Sequence, residues 1–212
     1  NPDGTKSPYE MNVNYLDATR QADVEESDEI IADRFLSSQS VMLALRGVPG
    51  IYYHSLLGSQ NWIEGMLETG HNRTINREKL DVDQLYEELQ VKGSLREMVF
   101  DGFKMMLKIR NQEPAFDPFG EQIVLSGNEH VFGVFRYQDD ANEGIFCLSN
   151  LSGQPQTICI NVDEYCGCSV TSLVDQIAGD SFGVNEGEVK IELHPYQVCW
   201  LKPSRSMDNL EA

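Results

Sequence analysis

Ser94-Leu95-Arg96-Glu97-Met98-Val99-Phe100-Asp101-Gly102-Phe103-Lys104-Met105-Met106-Leu107-Lys108-Ile109-Arg110-Asn111-Gln112-Glu113-Pro114-Ala115-Phe116-Asp117-Pro118-Phe119-Gly120 decides how the chain divides. Ser94 to Glu97 fits a helix-capping box, and Leu95, Met98, Val99, Phe103, Met106 and Leu107 then share one helical face to about Arg110. Pro114, Pro118 and Gly120 stop that pattern, and beyond them the apolar period becomes two. The chain is therefore expected to hold a helical part over residues 1–117, a β-domain over 118–203 and a tail over 204–212.

Upstream, Ser27 reads as an N-cap with Asp28 and Glu29 against the positive end of the helix dipole. Ile30, Ile31, Phe35, Met42 and Leu45 recur at near-helical spacing until Gly47 and Pro49, which predicts a helix from Asp28 to Leu45. Gly50-Ile51-Tyr52-Tyr53-His54-Ser55-Leu56-Leu57-Gly58 is β-branched and aromatic without alternation, as a strand buried on both faces of a parallel sheet would be. Asn61 to Lys79 reads as a long loop, and Asp83 to Gln90 as a short helix. Downstream, strands are expected at Gln122–Ser126, Val131–Tyr137, Gly144–Asn150, Gln156–Val162, Ser169–Val174, Glu188–Leu193 and Tyr196–Leu201. Their spacing of roughly ten residues argues for a small antiparallel sandwich.

Composition narrows the function. The 212 residues carry 16 Lys and Arg against 34 Asp and Glu, and a net charge of −18 repels nucleic acid and anionic membranes. No apolar run approaches the ~18 to 20 residues of a membrane-spanning helix. Asn1-Pro2-Asp3-Gly4 is no secretory signal and reads as a cut loop. Five cysteines confined to the last third are no disulfide framework, and a reducing cytoplasm is the expected location. Cys166-Gly167-Cys168 lacks a second ligand pair, so its thiols are expected to be small buried hydrophobes rather than a metal site. His54, His71, His130 and His194 are each isolated, and His54 is expected as a hydrogen-bonded core or rim residue.

One cluster is different. Arg73, Arg77 and Lys79 fall within Thr69 to Leu80, a cationic spot on an acidic background. It reads either as a site for an anion or polyol, which the planar arginine fork suits, or as surface cations paired with neighbouring carboxylates.

Four ordered blocks resolve the choice. Ser7-Pro8-Tyr9-Glu10-Met11-Asn12-Val13-Asn14-Tyr15-Leu16-Asp17-Ala18, Arg34-Phe35-Leu36-Ser37-Ser38-Gln39, Gly47-Val48-Pro49-Gly50-Ile51-Tyr52-Tyr53 and Asn72-Arg73-Thr74-Ile75-Asn76-Arg77 resemble the closing part of the sucrose phosphorylase group. That group belongs to glycoside hydrolase family 13, the α-amylase superfamily. The resemblance implies the C-terminal piece of a (β/α)8 barrel followed by the β-domain, because a whole barrel takes ~250 residues. It also implies retaining transfer of α-glucose to inorganic phosphate, a co-substrate, with no cofactor, the partners being a small carbohydrate and the missing N-terminal barrel portion. The nucleophilic Asp, the acid/base Glu and the stabilising Asp of such chemistry would lie upstream of Asn1, so no carboxylate here is assigned a catalytic role and the isolated chain is expected to be inactive.

On the same resemblance, Arg73 falls at a family arginine near the donor glucose. Tyr9 and Glu10 fall in a mobile loop shaping the acceptor and phosphate site. Sucrose-acting members typically carry Gln where Glu10 stands, and Glu10 is an acceptor-only anion. Relatives with Glu act on glucosylglycerate, glucosylglycerol or sucrose 6-phosphate; of these, a neutral polyol is favoured slightly, since an anion beside an anionic acceptor is unfavourable unless a cation intervenes. The alternatives are an α-glucosidase or transglucosidase of the same superfamily, and a non-catalytic carbohydrate-binding or assembly module.

Overall fold

A computed structural model describes residues 1–166 and 170–205. Its helices are α1 (Tyr15–Ala18), α2 (Asp28–Ala44), α3 (Tyr53–Leu56), α4 (Ile63–Thr69), α5 (Val82–Leu89) and α6 (Leu95–Gln112). The strands follow as β1 (Glu121–Val124), β2 (Val131–Tyr137), β3 (Ile145–Asn150), β4 (Gln156–Asn161), β5 (Val170–Asp175), β6 (Ser181–Gly183), β7 (Glu188–Leu193) and β8 (Val198–Arg205). Cys168 and residues 206–212, to which a tail and half of the Cys-Gly-Cys reading were assigned, lie outside the described residues.

Local chemistry sets the two long helices. Ser27 accepts from the Ile30 amide at the start of α2, and Ser94 accepts from the Glu97 amide at 3.2 Å at the start of α6. Only half of the expected capping box forms: the Glu97 carboxylate accepts from the Gly93 amide at 3.2 Å, one residue before the cap, while the Ser94 amide donates to the Val91 carbonyl at 3.2 Å. α2 also departs from the apolar stripe read in it. Ile30 is exposed, whereas Ser37, Gln39 and Ser40 are buried. Burial of hydroxyls is tolerated because β3 answers them: Ser37 donates to the Asn150 carbonyl at 2.9 Å, and Ser40 and Ser149 share a hydrogen bond of 2.6 Å.

The strands form a six-stranded sheet in the order β1-β2-β3-β8-β5-β6 and a two-stranded sheet of β4 and β7, with every pair antiparallel. The larger sheet lies between the helices and the smaller sheet, and period-two alternation serves both cores. Val134, Ile145, Cys147 and Trp200 join Phe35, Leu43, Val99 and Phe103 of α2 and α6. Their neighbours Phe135, Phe146, Leu148 and Leu201 face Ile158, Ile160, Val189 and Ile191 of the small sheet. β3 is therefore buried along its whole length, which in an antiparallel strand requires a layer on each side.

Two further expectations fail. Gly50–Leu57 is not a strand, and no parallel pair occurs among the described residues: Tyr53–Leu56 is a helical turn closed by Leu56 N–H to Tyr52 O and Leu57 N–H to Tyr53 O, both 3.0 Å. A parallel strand satisfies its amides from neighbouring strands, and with none alongside the segment satisfies them locally. Asn61 to Lys79 is likewise not one loop, since α4 and a 3₁₀ turn over Asn72–Asn76 occupy most of it. The expectations for His54 and Cys166 hold. His54 is fully buried with Nδ1 2.9 Å from the Ser59 hydroxyl, and Cys166 is a buried free thiol whose pKa burial pushes up to about 12.

Candidate functional site

Asn14, almost fully buried, pins the N-terminal segment against the rest of the helical part. Its backbone amide donates to Asn61 Oδ1 at 2.6 Å and its side chain donates to the Gln60 carbonyl at 2.6 Å. The preceding residues Tyr9 to Met11 are thereby carried, exposed, across the turn that bears Arg73. That turn has its own supports. Trp62 N–H donates to the Ile75 carbonyl at 2.8 Å, Thr69 and Thr74 share a hydroxyl bond of 2.9 Å, and Ile75 is buried beneath. Gly65 is required where it stands, because a Cβ there would run into the Trp62 ring. From the other side Tyr52 donates to the Asn76 carbonyl at 2.9 Å and Tyr53 to the Glu78 carbonyl at 3.4 Å.

These supports bring Tyr9, Glu10 and Arg73 to one open groove of about 790 Å³, with Trp62, His71, Arg77 and Lys79 on its walls. Arg73 meets Glu10 with two parallel donors: Nε bonds Oε1, and Nη2 reaches Oε2 at 2.6 Å. The Tyr9 ring lies 5.6 Å from the same guanidinium. The hydrogen bond from Arg73 holds the Glu10 carboxyl below the usual carboxylate range, and the carboxylate in turn raises the Arg73 pKa. Among the described residues, neither Arg77 nor Lys79 forms a salt bridge with a carboxylate.

Chemically, the groove is a cationic surface whose central arginine already holds a carboxylate. A planar fork that accepts one carboxylate accepts a phosphate or another carboxylate in the same geometry. The unfavourable effect expected of Glu10 on an anionic acceptor held unless a cation intervened, and the structure pairs Glu10 with the Arg73 cation. Trp62 and the paired tyrosines Tyr52 and Tyr53 were not anticipated as parts of the site. An aromatic in an otherwise polar stretch was the available signal for Trp62. Nothing in the sequence pattern distinguishes the two tyrosines from core residues.

Comparison with known proteins places this geometry in context. No family model matches the chain. A glucosylglycerate phosphorylase from Spirochaeta thermophila is 43% identical over 202 residues, covering 93% of this chain and 34% of that protein. The chain is similar to glycoside phosphorylases. A second glucosylglycerate phosphorylase, from Escherichia coli, is 34% identical over 203 residues, covering 95% of this chain and 34% of that protein. The chain thus spans about a third of the length of the phosphorylases it matches. In fold it resembles an α-amylase from Anoxybacillus, with a TM-score of 0.61 at 15% identity over 92% of this chain and 37% of that one. The resemblance to the phosphorylases drawn from the four sequence blocks is upheld by these two relatives, and the α-amylase shares the fold. No helix among the described residues is long and apolar enough to cross a membrane.

Proposed function

We propose that this chain is the C-terminal part of a retaining α-glucoside phosphorylase that transfers glucose to inorganic phosphate and releases α-glucose 1-phosphate. In this reading α2, α3 and α6 belong to the end of a (β/α)8 barrel and β1 to β8 form the C-terminal domain, while the missing N-terminal barrel portion carries the reacting carboxylates. The observation that carries it is the Arg73–Glu10 pair set among Arg77, Lys79 and Tyr9, an anion-ready groove in a chain of net charge −18. Glucosylglycerate is the favoured donor, as the names of the two relatives above suggest and as a glycerate carboxylate would require of such a groove.

Tyr9, Glu10 and Arg73 are the substrate-binding residues of this proposal. Arg73 would orient phosphate or the glycerate carboxylate through its paired donors, taking the incoming anion in exchange for Glu10 or beside it. Glu10 would keep the guanidinium aimed while the groove is empty. Inorganic phosphate is the co-substrate, with no further cofactor, and the buried free thiols suit a reducing cytoplasm. Trp200 is fully buried beneath Phe116 and cannot stack on a sugar, which disfavours a carbohydrate-binding role for the strand region.

The test is release of glucose 1-phosphate by the full-length protein from glucosylglycerate, glucosylglycerol and sucrose, with and without phosphate. Phosphate-dependent release from glucosylglycerate is expected. Release of free glucose without phosphate dependence would instead establish a hydrolase, and turnover by the 212-residue chain alone would show that reacting carboxylates lie within it.

A further inference from the structure

Two arginines beneath the end of α2, Arg136 fully buried and Arg110 half-buried, form no salt bridge to a carboxylate among the described residues. Arg136 in β2 is fully buried, yet all of its hydrogen bonds go to backbone carbonyls: Nη1 to Ala44 at 2.9 Å, Nη2 to Asp117 at 2.7 Å and Nε to Glu121 at 3.1 Å. Arg110 of α6 donates to the carbonyl of Leu43 and, at 2.8 Å, to that of Gly47. α2 has no basic residue in its own last turn. Its negative end is therefore held by two guanidinium groups supplied from elsewhere, one of them from the sheet. Burying the Arg136 cation with a half-buried Arg110 close by is costly: burial and the neighbouring guanidinium both push its pKa down, and the charge of Asp117 acts against that without a hydrogen bond from its carboxylate. Something other than a simple ion pair accounts for their placement.

The held carbonyls lie just before the segment that reaches the groove. Arg46 N–H donates to Gln122 Oε1 at 2.8 Å, a second tie from the same stretch to β1. From Gly47 the chain runs through Pro49, whose fixed φ limits bending, to Tyr52 and Tyr53, whose hydroxyls hold the carbonyls of Asn76 and Glu78. At the far end of this segment Arg96 of α6 donates to the Leu57 carbonyl at 2.6 Å. The stretch 44–57 is thus a strut fixed at one end by Arg110 and Arg136 and at the other by Arg96, and it carries the hydroxyls that set the turn bearing Arg73.

We infer that Arg136 is a positioning residue through which the strand region sets the groove: it fixes the carbonyl end of α2, and so the height at which Tyr52 and Tyr53 hold the Arg73 turn. The role of the strand region is then bracing rather than binding. This holds whatever ligand the groove takes and whether or not the full-length protein is a phosphorylase.

Amide hydrogen exchange on the full-length protein tests it, with thermal midpoints measured alongside. Arg136→Met is expected to speed exchange about tenfold or more across 41–52 and 72–79, the scale of one or two lost hydrogen bonds, while β4 and β7 keep their wild-type rates. Leu173→Ala, which opens a cavity in the other core, is expected to lower the midpoint without selective change in those two segments. Should Arg136→Met not fold, Arg136→Lys, which retains the charge but cannot span three carbonyls, carries the same comparison. Tyr52→Phe, at an exposed position, is expected to loosen 72–79 alone. Unchanged exchange at 72–79 in the Arg136 variants, or the same selective loosening in Leu173→Ala, would overturn the inference.

Discussion

The groove and the strand region solve the same problem by opposite means. β2, β3 and β8 satisfy their backbones with regular ladders and bury alternate side chains in two cores, so each residue is held by many equivalent contacts. Tyr9 and Met11 at the groove are more than four-fifths exposed, and single side-chain bonds from Asn14, Tyr52 and Tyr53 hold the surrounding backbone. The redundant half is stable and chemically plain. The sparsely held half displays the charged groups, in keeping with the tendency of binding residues to sit on loops carried by a rigid scaffold.

The largest effect should come from breaking the redundant half. Trp200→Ala is expected to cost about 3–5 kcal/mol in urea unfolding, the usual range for deleting a large buried aromatic. A loss below 1 kcal/mol would mean that the two halves are held alike. The groove should behave in the reverse way. In the full-length protein Arg73→Ala is expected to lower phosphate-dependent turnover about ten- to hundredfold, the size of one or two charge-assisted hydrogen bonds, with the thermal midpoint unchanged as for an exposed position.

A smaller effect appears with acid. Arg34 holds Glu26 through two bonds, one of them 2.8 Å long, and its hydrogen bonding lowers the Glu26 pKa to about 2. A carboxylate whose pKa is depressed on folding stabilises fully above its unfolded value, about 4.3, and loses that contribution as pH falls toward the folded value. The thermal midpoint should therefore drop between about pH 4.5 and 2. Glu26→Gln should start lower at neutral pH and show a flatter acid limb; parallel profiles would assign the acid loss to other carboxylates. The smallest expected effect is that of Ser94→Ala, about 1 kcal/mol for one lost helix cap. Calorimetry would sharpen the comparison by showing whether a local bond matters more in the helical part than the same loss does among the strands.

Sequence pattern alone located most of the elements. The caps Ser27 and Ser94, the turn residues between strands and the change of period after Gly120 act within a few residues of themselves, so α2, α6, β2, β3 and β7 were legible to within a residue or two. Four short blocks likewise pointed to the phosphorylase resemblance and to Tyr9, Glu10 and Arg73. Tertiary structure decided what each element meets. It turned Tyr53–Leu56 into a helical turn for want of neighbouring strands, set Ser40 against Ser149, joined Glu10 to Arg73 across 63 residues and buried Arg136 beneath the end of α2. Periodicity tells a side chain which way to point because backbone geometry is local. The partner it finds depends on where distant segments return, and a lone arginine, tyrosine or serine has the same pattern signature whether it ends in solvent or against a carbonyl far along the chain.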